Sequence, residues 1–300
     1  MRFPAIAHLL VIIVFSATVV SAQDVIAGNL TIYAATSLTD AFDALAHAYE
    51  QSHPDVAIRL NFANSATLAA QIAAGAPADV FASANEFQMA AVIENGRAAE
   101  EQVVIFAHNR LIVIVPADNP ADIRSVGDLA VDGVLLVLAA SGTPIRGYTD
   151  AMLASHKAEY GDDFSERVRR NLVSEERNVR QVVARVALGE ADAGVVYQSD
   201  ARGAVASQLG VIPIDARHNQ LASYPIAPLS DAAAPGLAHA FIKYLGSAEA
   251  LRILADYGFC APAILDEAET PEARPEPTIE PTEAGAPPEI NCDAATSEDG

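Results

Sequence analysis

The sequence has few basic residues and no cluster of them. It contains 18 Lys and Arg against 39 Asp and Glu in 300 residues, and its formal net charge is −21. Proteins that bind nucleic acid usually gather Lys and Arg on one face or along one helix. The composition therefore argues against a nucleic-acid partner.

Beyond its first residues, the sequence also lacks an apolar run of the about 18 residues that a membrane-spanning helix needs. Residues 1–22 combine an early Arg2, an apolar block over 9–20 and small residues at the end. This pattern is typical of a secretory signal peptide cut after Ala22. We therefore expect an exported protein, periplasmic or otherwise extracytoplasmic, that is soluble once the peptide is removed.

Large apolar residues are almost absent from 265–300, where eleven acidic residues accompany one Arg. Such a segment buries too little apolar surface to offset its ordering entropy. The sequence predicts a disordered tail rich in Pro and Glu. About 240 residues remain for the folded body, enough for one large domain or two modest ones.

Cysteine is equally scarce, with Cys260 near the end of the body and Cys292 in the predicted tail. Disulfides persist in exported proteins. If the two pair, they tie the tail to the body; if they do not, they are two free thiols. The sequence leaves both alternatives open.

The body alternates strand-like and helical patterns, which predicts an α/β fold with largely parallel sheets. After the opening "LTIYA", the predicted strands are "VAIRLNF", "DVFASA", "VVIFAH", "LIVIVP", "VLLVLAA", "AGVVY" and "GVIPI". An amphipathic helix is predicted from Leu38, and further helices near 65–75, 86–95, 144–154, 164–170, 177–188, 236–245 and 247–257.

Several predicted helices begin with a short polar side chain. Ser37 and Asp40 have the spacing of a capping box, and Asn64 with Ser65, Thr143 before Pro144, and Asn178 stand at other helix starts. A helix start offers unpaired N–H groups and the positive end of the helix dipole, which suits an anion. Capping alone also explains each start taken singly.

The body resembles the periplasmic molybdate-binding proteins of the ModA type. The resemblance rests on "AATSLTDAF", "FANSATLAAQIAAGAPADVFASANE", "NVRQVVARVALGEADAGVVYQSDA" and "YPIA". It implies the type II periplasmic binding protein fold, in which two α/β domains are joined by crossing strands with a ligand cleft between them. Lobe 1 would comprise 23–108 with 214–264, and lobe 2 would comprise 109–213.

The resemblance also implies a set of molybdate ligands, carried over position by position. They are the hydroxyls of Ser37, Ser65 and Tyr197 and the backbone N–H groups of Ile145 and Val179. Relatives commonly show PxGxY where this chain reads Pro-Ile-Arg-Gly-Tyr, so Arg146 stands in place of the glycine. Arg146 is then either a cation at the cleft edge or an ordinary solvated side chain.

Molybdate is a dianion with no proton to donate near neutral pH, so hydroxyl and N–H donors suit it. We expect a monomer that binds molybdate without a cofactor, and also tungstate, which is nearly the same size. The protein would close its lobes on the ion and deliver it to the membrane permease of an ATP-driven importer. A protonated oxyanion such as hydrogen phosphate would lack an acceptor in an all-donor site. Cavity size would have to exclude sulfate.

Three other readings compete. Ser37 could be a hydrolase nucleophile with His47, His53 or His108 as its base, but no GxSxG motif surrounds it. A metal site is disfavoured because the seven histidines are scattered and no cysteine pair has ligand spacing. The third reading is a receptor for sulfate, thiosulfate or an organic anion on the same scaffold.

Overall fold

The computed structural model describes residues 27–262, in which strands and helices alternate along the chain. The strands are β1 (Gly28–Ala35), β2 (Val56–Ala63), β3 (Val80–Ala82), β4 (Val104–Pro116), β5 (Leu136–Ala139), β6 (Leu172–Glu176), β7 (Ala193–Tyr197), β8 (Leu209–Pro213) and β9 (Leu221–Pro228). The helices are α1 (Thr39–Ser52), α2 (Ser65–Ala73), α3 (Glu86–Glu94), α4 (Pro144–Ser155), α5 (Lys157–Tyr160), α6 (Phe164–Arg170), α7 (Val179–Ala187), α8 (Pro235–Tyr244) and α9 (Ala248–Asp256).

The strands form one mixed sheet in the order β2-β1-β3-β9-β4-β7-β5-β6, with β8 also paired to β4. Strand β1 pairs in parallel with β2 and β3, and β5 pairs in parallel with β6 and β7. Strands β4 and β9 are antiparallel to each other. Parallel strands followed by helices place several helix starts at one sheet edge, where ligands of α/β proteins bind.

Strand β4 joins the two halves of this sheet. Its first part, Val104–Arg110, pairs with β9, and its second part, Leu111–Pro116, pairs with β7 and β8. We call the half with β1, β2, β3 and β9 lobe 1, and the half with β5, β6, β7 and β8 lobe 2. Strand β4 and the chain leading from β8 into β9 cross between them.

Helix α7 shows how the sequence pattern builds these layers. Val179, Val182, Val183 and Val186 recur at helical spacing, and all four are buried. The helix lies close against β7, where a Cβ on Gly194 would stand 2.6 Å from Cγ1 of Val182. A larger residue than glycine at this position of β7 would therefore push the helix away from the sheet.

The sequence predicts most of these elements. Each of the seven helices predicted after the first overlaps an observed helix, and "VAIRLNF" falls in β2. The two strands predicted as "VVIFAH" and "LIVIVP" are instead one continuous strand, β4. The sequence does not predict β9, because Pro225 and Pro228 interrupt the alternating pattern that is typical of a strand.

The predicted signal peptide, residues 1–22, and the predicted tail, residues 265–300, lie outside the described residues. Cys292 lies there too; Cys260 is disulfide-bonded and its backbone pairs with that of His108. Within 27–262, none of the helices has both the length and the apolar character needed to cross a bilayer.

Candidate functional site

A small cavity lies between the two lobes, at the starts of helices α2, α4 and α7. The centre of a water molecule can occupy a volume of about 20 Å³ inside it. A cavity of this volume has room for one small ligand. The lining residues are Ala35, Thr36, Ser37, Asn64, Ser65, Ala84, Thr143, Pro144, Ile145, Asn178, Val179 and Tyr197.

This lining brings together the residues that the sequence predicted as ligands. Ser37 and Ser65 come from lobe 1, whereas Ile145, Val179 and Tyr197 come from lobe 2. The set includes no Asp, Glu, Lys, Arg or His among the described residues that line the cavity. The lining that the described residues form therefore offers hydroxyls and helix starts but no ionised side chain.

Ser37 does not cap a helix, so the predicted capping box with Asp40 is wrong. A short 3₁₀ turn, Thr36–Leu38, precedes α1, whose N-cap is Leu38 and has no side-chain cap bond. The Ser37 hydroxyl instead accepts a hydrogen bond of 3.1 Å from the buried hydroxyl of Tyr224, a residue of crossing strand β9. This contact leaves the Ser37 hydrogen for a partner in the cavity.

Ser65 is prepared in the same way. Asn64 is the N-cap of α2, as predicted, and its side chain accepts from the N–H of Thr67. The Ser65 hydroxyl, almost fully buried, accepts a 3.0 Å hydrogen bond from the N–H of Ala84. Because a serine hydroxyl has one hydrogen, this contact leaves that hydrogen available as a donor.

Lobe 2 contributes two helix starts. Helix α4 has Pro144 in its first turn, as predicted, but the Thr143 side chain makes no cap bond and donates to the carbonyl of Ala140 instead. Helix α7 is capped by Asn178, whose side chain accepts from the N–H of Gln181. The first N–H groups of a helix have no partner inside the helix, and the dipole there favours negative charge.

Tyr197 ends β7 and is 1% exposed. Its hydroxyl is buried and has no hydrogen-bond partner within the described residues, although it lies at the cavity. Burial raises the pKa of this hydroxyl well above its usual value, so the group stays a donor at neutral pH. The Asp200 carboxylate accepts from the Tyr197 N–H at 3.0 Å and holds the end of the strand in place.

Thr36 also lines the cavity, although the sequence does not single it out. Its side-chain oxygen is also buried without a hydrogen-bond partner in the described part of the chain. Buried polar atoms are rarely left unpaired. A polar ligand in this cavity would give a partner to both atoms, on Thr36 and on Tyr197.

Arg146 and Arg180, which neighbour cavity-lining residues in the chain, are paired with carboxylates. Arg146 binds Asp150 at 3.2 Å and also pairs with Glu175, and its side chain is only 11% exposed. It is therefore not an ordinary solvated side chain, and it is absent from the described residues that line the cavity. Arg180 pairs with Asp40 at 2.6 Å.

Three polar contacts beside the cavity join the lobes. The Arg180–Asp40 ion pair connects α7 of lobe 2 to α1 of lobe 1, and Arg180 also donates to the carbonyl of Thr36. The side chain of Asn64 donates across the cleft to the carbonyl of Arg177 at 3.0 Å. These contacts hold the lobes together around the cavity.

The contacts do not support Ser37 as a nucleophile. Its hydroxyl bonds to Tyr224 and to none of the three candidate bases. His47 bonds to Gln51, and His108 bonds to Ser223. His53 bonds to Ser52 and to the carbonyl of Tyr49. A serine nucleophile requires a base within hydrogen-bond reach.

The expectation that the histidines are scattered is wrong in one place. The loop between β8 and β9 brings His218 onto His156 at the end of α4, with Glu159 beside them. This group lies in lobe 2 and shares no residue with the cavity.

The fold and this cavity are those of a two-lobed solute receptor. The model of a bacterial extracellular solute-binding protein family matches residues 30–260. The molybdate-binding protein ModA of Mycobacterium tuberculosis (strain ATCC 25618 / H37Rv) is 34% identical over 236 residues, 79% of this chain and 86% of that protein. The chain belongs to this family of solute-binding proteins and, within it, to the ModA type.

Solved structures agree on the fold. The periplasmic molybdate-binding protein of Azotobacter vinelandii has a TM-score of 0.68 at 21% identity, covering 78% of this chain and 99% of that one. The sulfate-binding protein SubI of Mycobacterium tuberculosis H37Rv has a TM-score of 0.70 at 18% identity, covering 80% and 88%. Since the two scores are nearly equal, the fold alone does not separate molybdate from sulfate.

Proposed function

We propose that the cavity binds molybdate, and also tungstate, as the solute receptor of an ATP-driven importer. The observation that carries the proposal is a lining that offers hydrogen-bond donors but no ionised side chain among the described residues. The cavity is lined by hydroxyls, helix starts and small apolar residues. The molybdate-binding names of the ModA relatives support the same ligand.

The proposed ligands are the hydroxyls of Ser37, Ser65 and Tyr197 and the N–H groups of Ile145 and Val179. The acceptor sides of both serine hydroxyls are already used, by Tyr224 and by the Ala84 N–H. Each serine can therefore present its hydrogen to an oxyanion. The buried Thr36 hydroxyl is a further donor in reach of the same cavity.

The donor set is sufficient for useful affinity. A hydrogen bond to a charged group contributes about 1.5 to 3 kcal/mol. Five or six of them, less the cost of dehydrating the dianion and closing the lobes, reach the about 8 kcal/mol that corresponds to micromolar binding. No salt bridge to the ion is needed, which fits the pairing of Arg146 and Arg180 with carboxylates.

Selectivity then follows from protonation and size. Hydrogen phosphate has an O–H that needs an acceptor, whereas the proposed ligands all act as donors to the ion. Sulfate has no proton, so only its smaller radius distinguishes it from molybdate. A sulfate receptor on the same scaffold is the second candidate function, because the sulfate-binding protein SubI has this fold.

Transport follows from the two-lobed fold. Closure of the lobes on the ion would bring the donors of lobe 1 and lobe 2 to the same oxyanion, and the contacts Arg180–Asp40 and Asn64–Arg177 would stabilise the closed form. The closed receptor would then dock on the membrane permease of the importer.

Thermal unfolding with four anions tests the proposal. Molybdate and tungstate should each raise the melting temperature strongly, because a ligand that binds only the native state adds RT ln(1 + [L]/Kd) to its stability. Sulfate and phosphate at the same concentration and ionic strength should shift it little. A sulfate shift as large as the molybdate shift would assign the protein to sulfate instead.

A further inference from the structure

A second polar cluster lies in lobe 2, away from the cavity. It consists of His156, Glu159 and His218, and one potential ligand atom of each lies within 4.8 Å of the others. His156 is the C-cap of α4 and is 3% exposed, Glu159 is exposed on α5, and His218 belongs to the loop between β8 and β9. We propose that this cluster binds one divalent transition-metal ion such as Zn²⁺.

The hydrogen bonds of His156 prepare it as a ligand. Its Nδ1 lies 2.9 Å from the carbonyl oxygen of Met152, in the last turn of α4. A carbonyl oxygen only accepts, so Nδ1 carries the proton and Nε2 of the neutral ring keeps its lone pair. A histidine that donates one N–H to a backbone carbonyl and binds metal through its other nitrogen is the usual arrangement in metal sites.

The same hydrogen-bond argument shows which ring nitrogen of His218, the second imidazole, carries the proton. The Ser155 hydroxyl lies 2.7 Å from the carbonyl of Met152, so its single hydrogen is used there. Nδ1 of His218 lies 3.2 Å from that hydroxyl oxygen and must donate to it. Nε2 of His218 therefore also keeps its lone pair in the neutral ring.

The free nitrogen of His218 faces a carboxylate. Its Nε2 lies 3.5 Å from Oε2 of Glu159, and a lone pair opposite a carboxylate oxygen is repulsive unless a cation lies between them. A metal ion bound to both groups would supply that cation. The buried His156 ring stacks on His218 with centroids 4.1 Å apart, which brings a second imidazole to the same place.

Geometry and charge are compatible with a metal ion. Ligand atoms around tetrahedral Zn²⁺ are about 3.3 Å apart, given bond lengths of about 2.0 to 2.1 Å. Rotation of the exposed Glu159 and the partly exposed His218 side chains would supply the small adjustment. The neighbouring Arg217 does not compete for Glu159, because its guanidinium binds both carboxylate oxygens of Asp215.

The helix dipole adds a further contribution. The cluster lies at the C-terminal end of α4, where the dipole favours positive charge. The N-terminal end of the same helix presents Ile145 to the oxyanion cavity. A metal ion would cross-link this helix to the loop that leads into crossing strand β9. Its imidazole ligands would disfavour Mg²⁺ and Ca²⁺, which prefer oxygen ligands.

Calorimetric titration of the purified, EDTA-treated protein with zinc chloride tests the proposal without any oxyanion. We expect one equivalent to bind, with Glu159→Gln and His218→Ala each weakening the affinity by about tenfold or more. Both side chains are at least partly exposed, so these variants should fold. The control is His47→Ala, on α1 of lobe 1, which should leave zinc binding unchanged.

Two results would overturn the metal site. If the native protein binds no zinc, the cluster is not a metal site. If zinc binds equally well to Glu159→Gln, His218→Ala and native protein, the ion occupies other groups. Either result leaves the proposed oxyanion site untouched, because the cavity and the cluster share no residue.

Discussion

Replacing Tyr197 with Phe should weaken molybdate binding by about ten- to a hundredfold, while the ligand-free protein becomes no less stable. The lost contact is a hydrogen bond to a dianion, which contributes about 1.5 to 3 kcal/mol. Without the anion, the buried hydroxyl has no partner within the described residues. Its removal should therefore leave the free energy of unfolding unchanged or raise it by about 1 kcal/mol.

Tyr49→Phe is the matched control. Tyr49 is 2% exposed on α1, and its hydroxyl is likewise buried without a partner in the described part of the chain. It does not line the cavity. Calorimetric titration with molybdate and urea unfolding of both variants should show similar stabilities but a loss of affinity only in Tyr197→Phe. If the two variants bind molybdate equally well, the Tyr197 hydroxyl is not a ligand of the ion.

Replacing Val179 with Pro should weaken molybdate binding by at least the same about 1.5 to 3 kcal/mol. Proline removes the N–H that we assign to the oxyanion and places its ring carbon there instead. The helix should tolerate it, because proline is favoured at the first position of a helix. The preceding Asn178 has φ −155° and ψ 167°, the extended conformation that a residue before proline prefers.

The control for this variant is Ala248→Pro, at the first position of α9. Its N-cap, Ser247, is also extended, with φ −73° and ψ 154°, and α9 does not contribute to the cavity. Molybdate affinity should be unchanged in Ala248→Pro and reduced in Val179→Pro, while circular dichroism shows a native helix content in both. If Val179→Pro binds molybdate normally, the oxyanion does not use this helix start.

The sequence predicts the helix starts at the site better than it predicts the roles of their side chains. Asn64 and Asn178 cap α2 and α7 as their local patterns indicate. Ser37 and Asp40 have an equally good local pattern, yet neither caps α1. Each makes a contact from a distant segment instead, Ser37 with Tyr224 and Asp40 with Arg180. A local pattern carries no information on such tertiary partners.

The same reason explains the features that the sequence does not reveal. His156 and His218 lie far apart in the chain, and only the course of the loop before β9 stacks their rings. Thr36 has nothing in its neighbourhood to distinguish it from an ordinary turn residue. Its role depends on the burial of its hydroxyl at a cavity made by both lobes. The ion pairing of Arg146 likewise depends on carboxylates that the fold packs against it.

The most direct test of the central claim is a crystal structure of the molybdate complex with diffraction recorded at the molybdenum absorption edge. The account predicts one anomalous peak in the interlobe cavity, with the oxyanion within hydrogen-bond distance of the hydroxyls of Ser37, Ser65 and Tyr197 and of the N–H groups of Ile145 and Val179. A peak outside this cavity, or an Arg or Lys side chain bound directly to the ion, would contradict it.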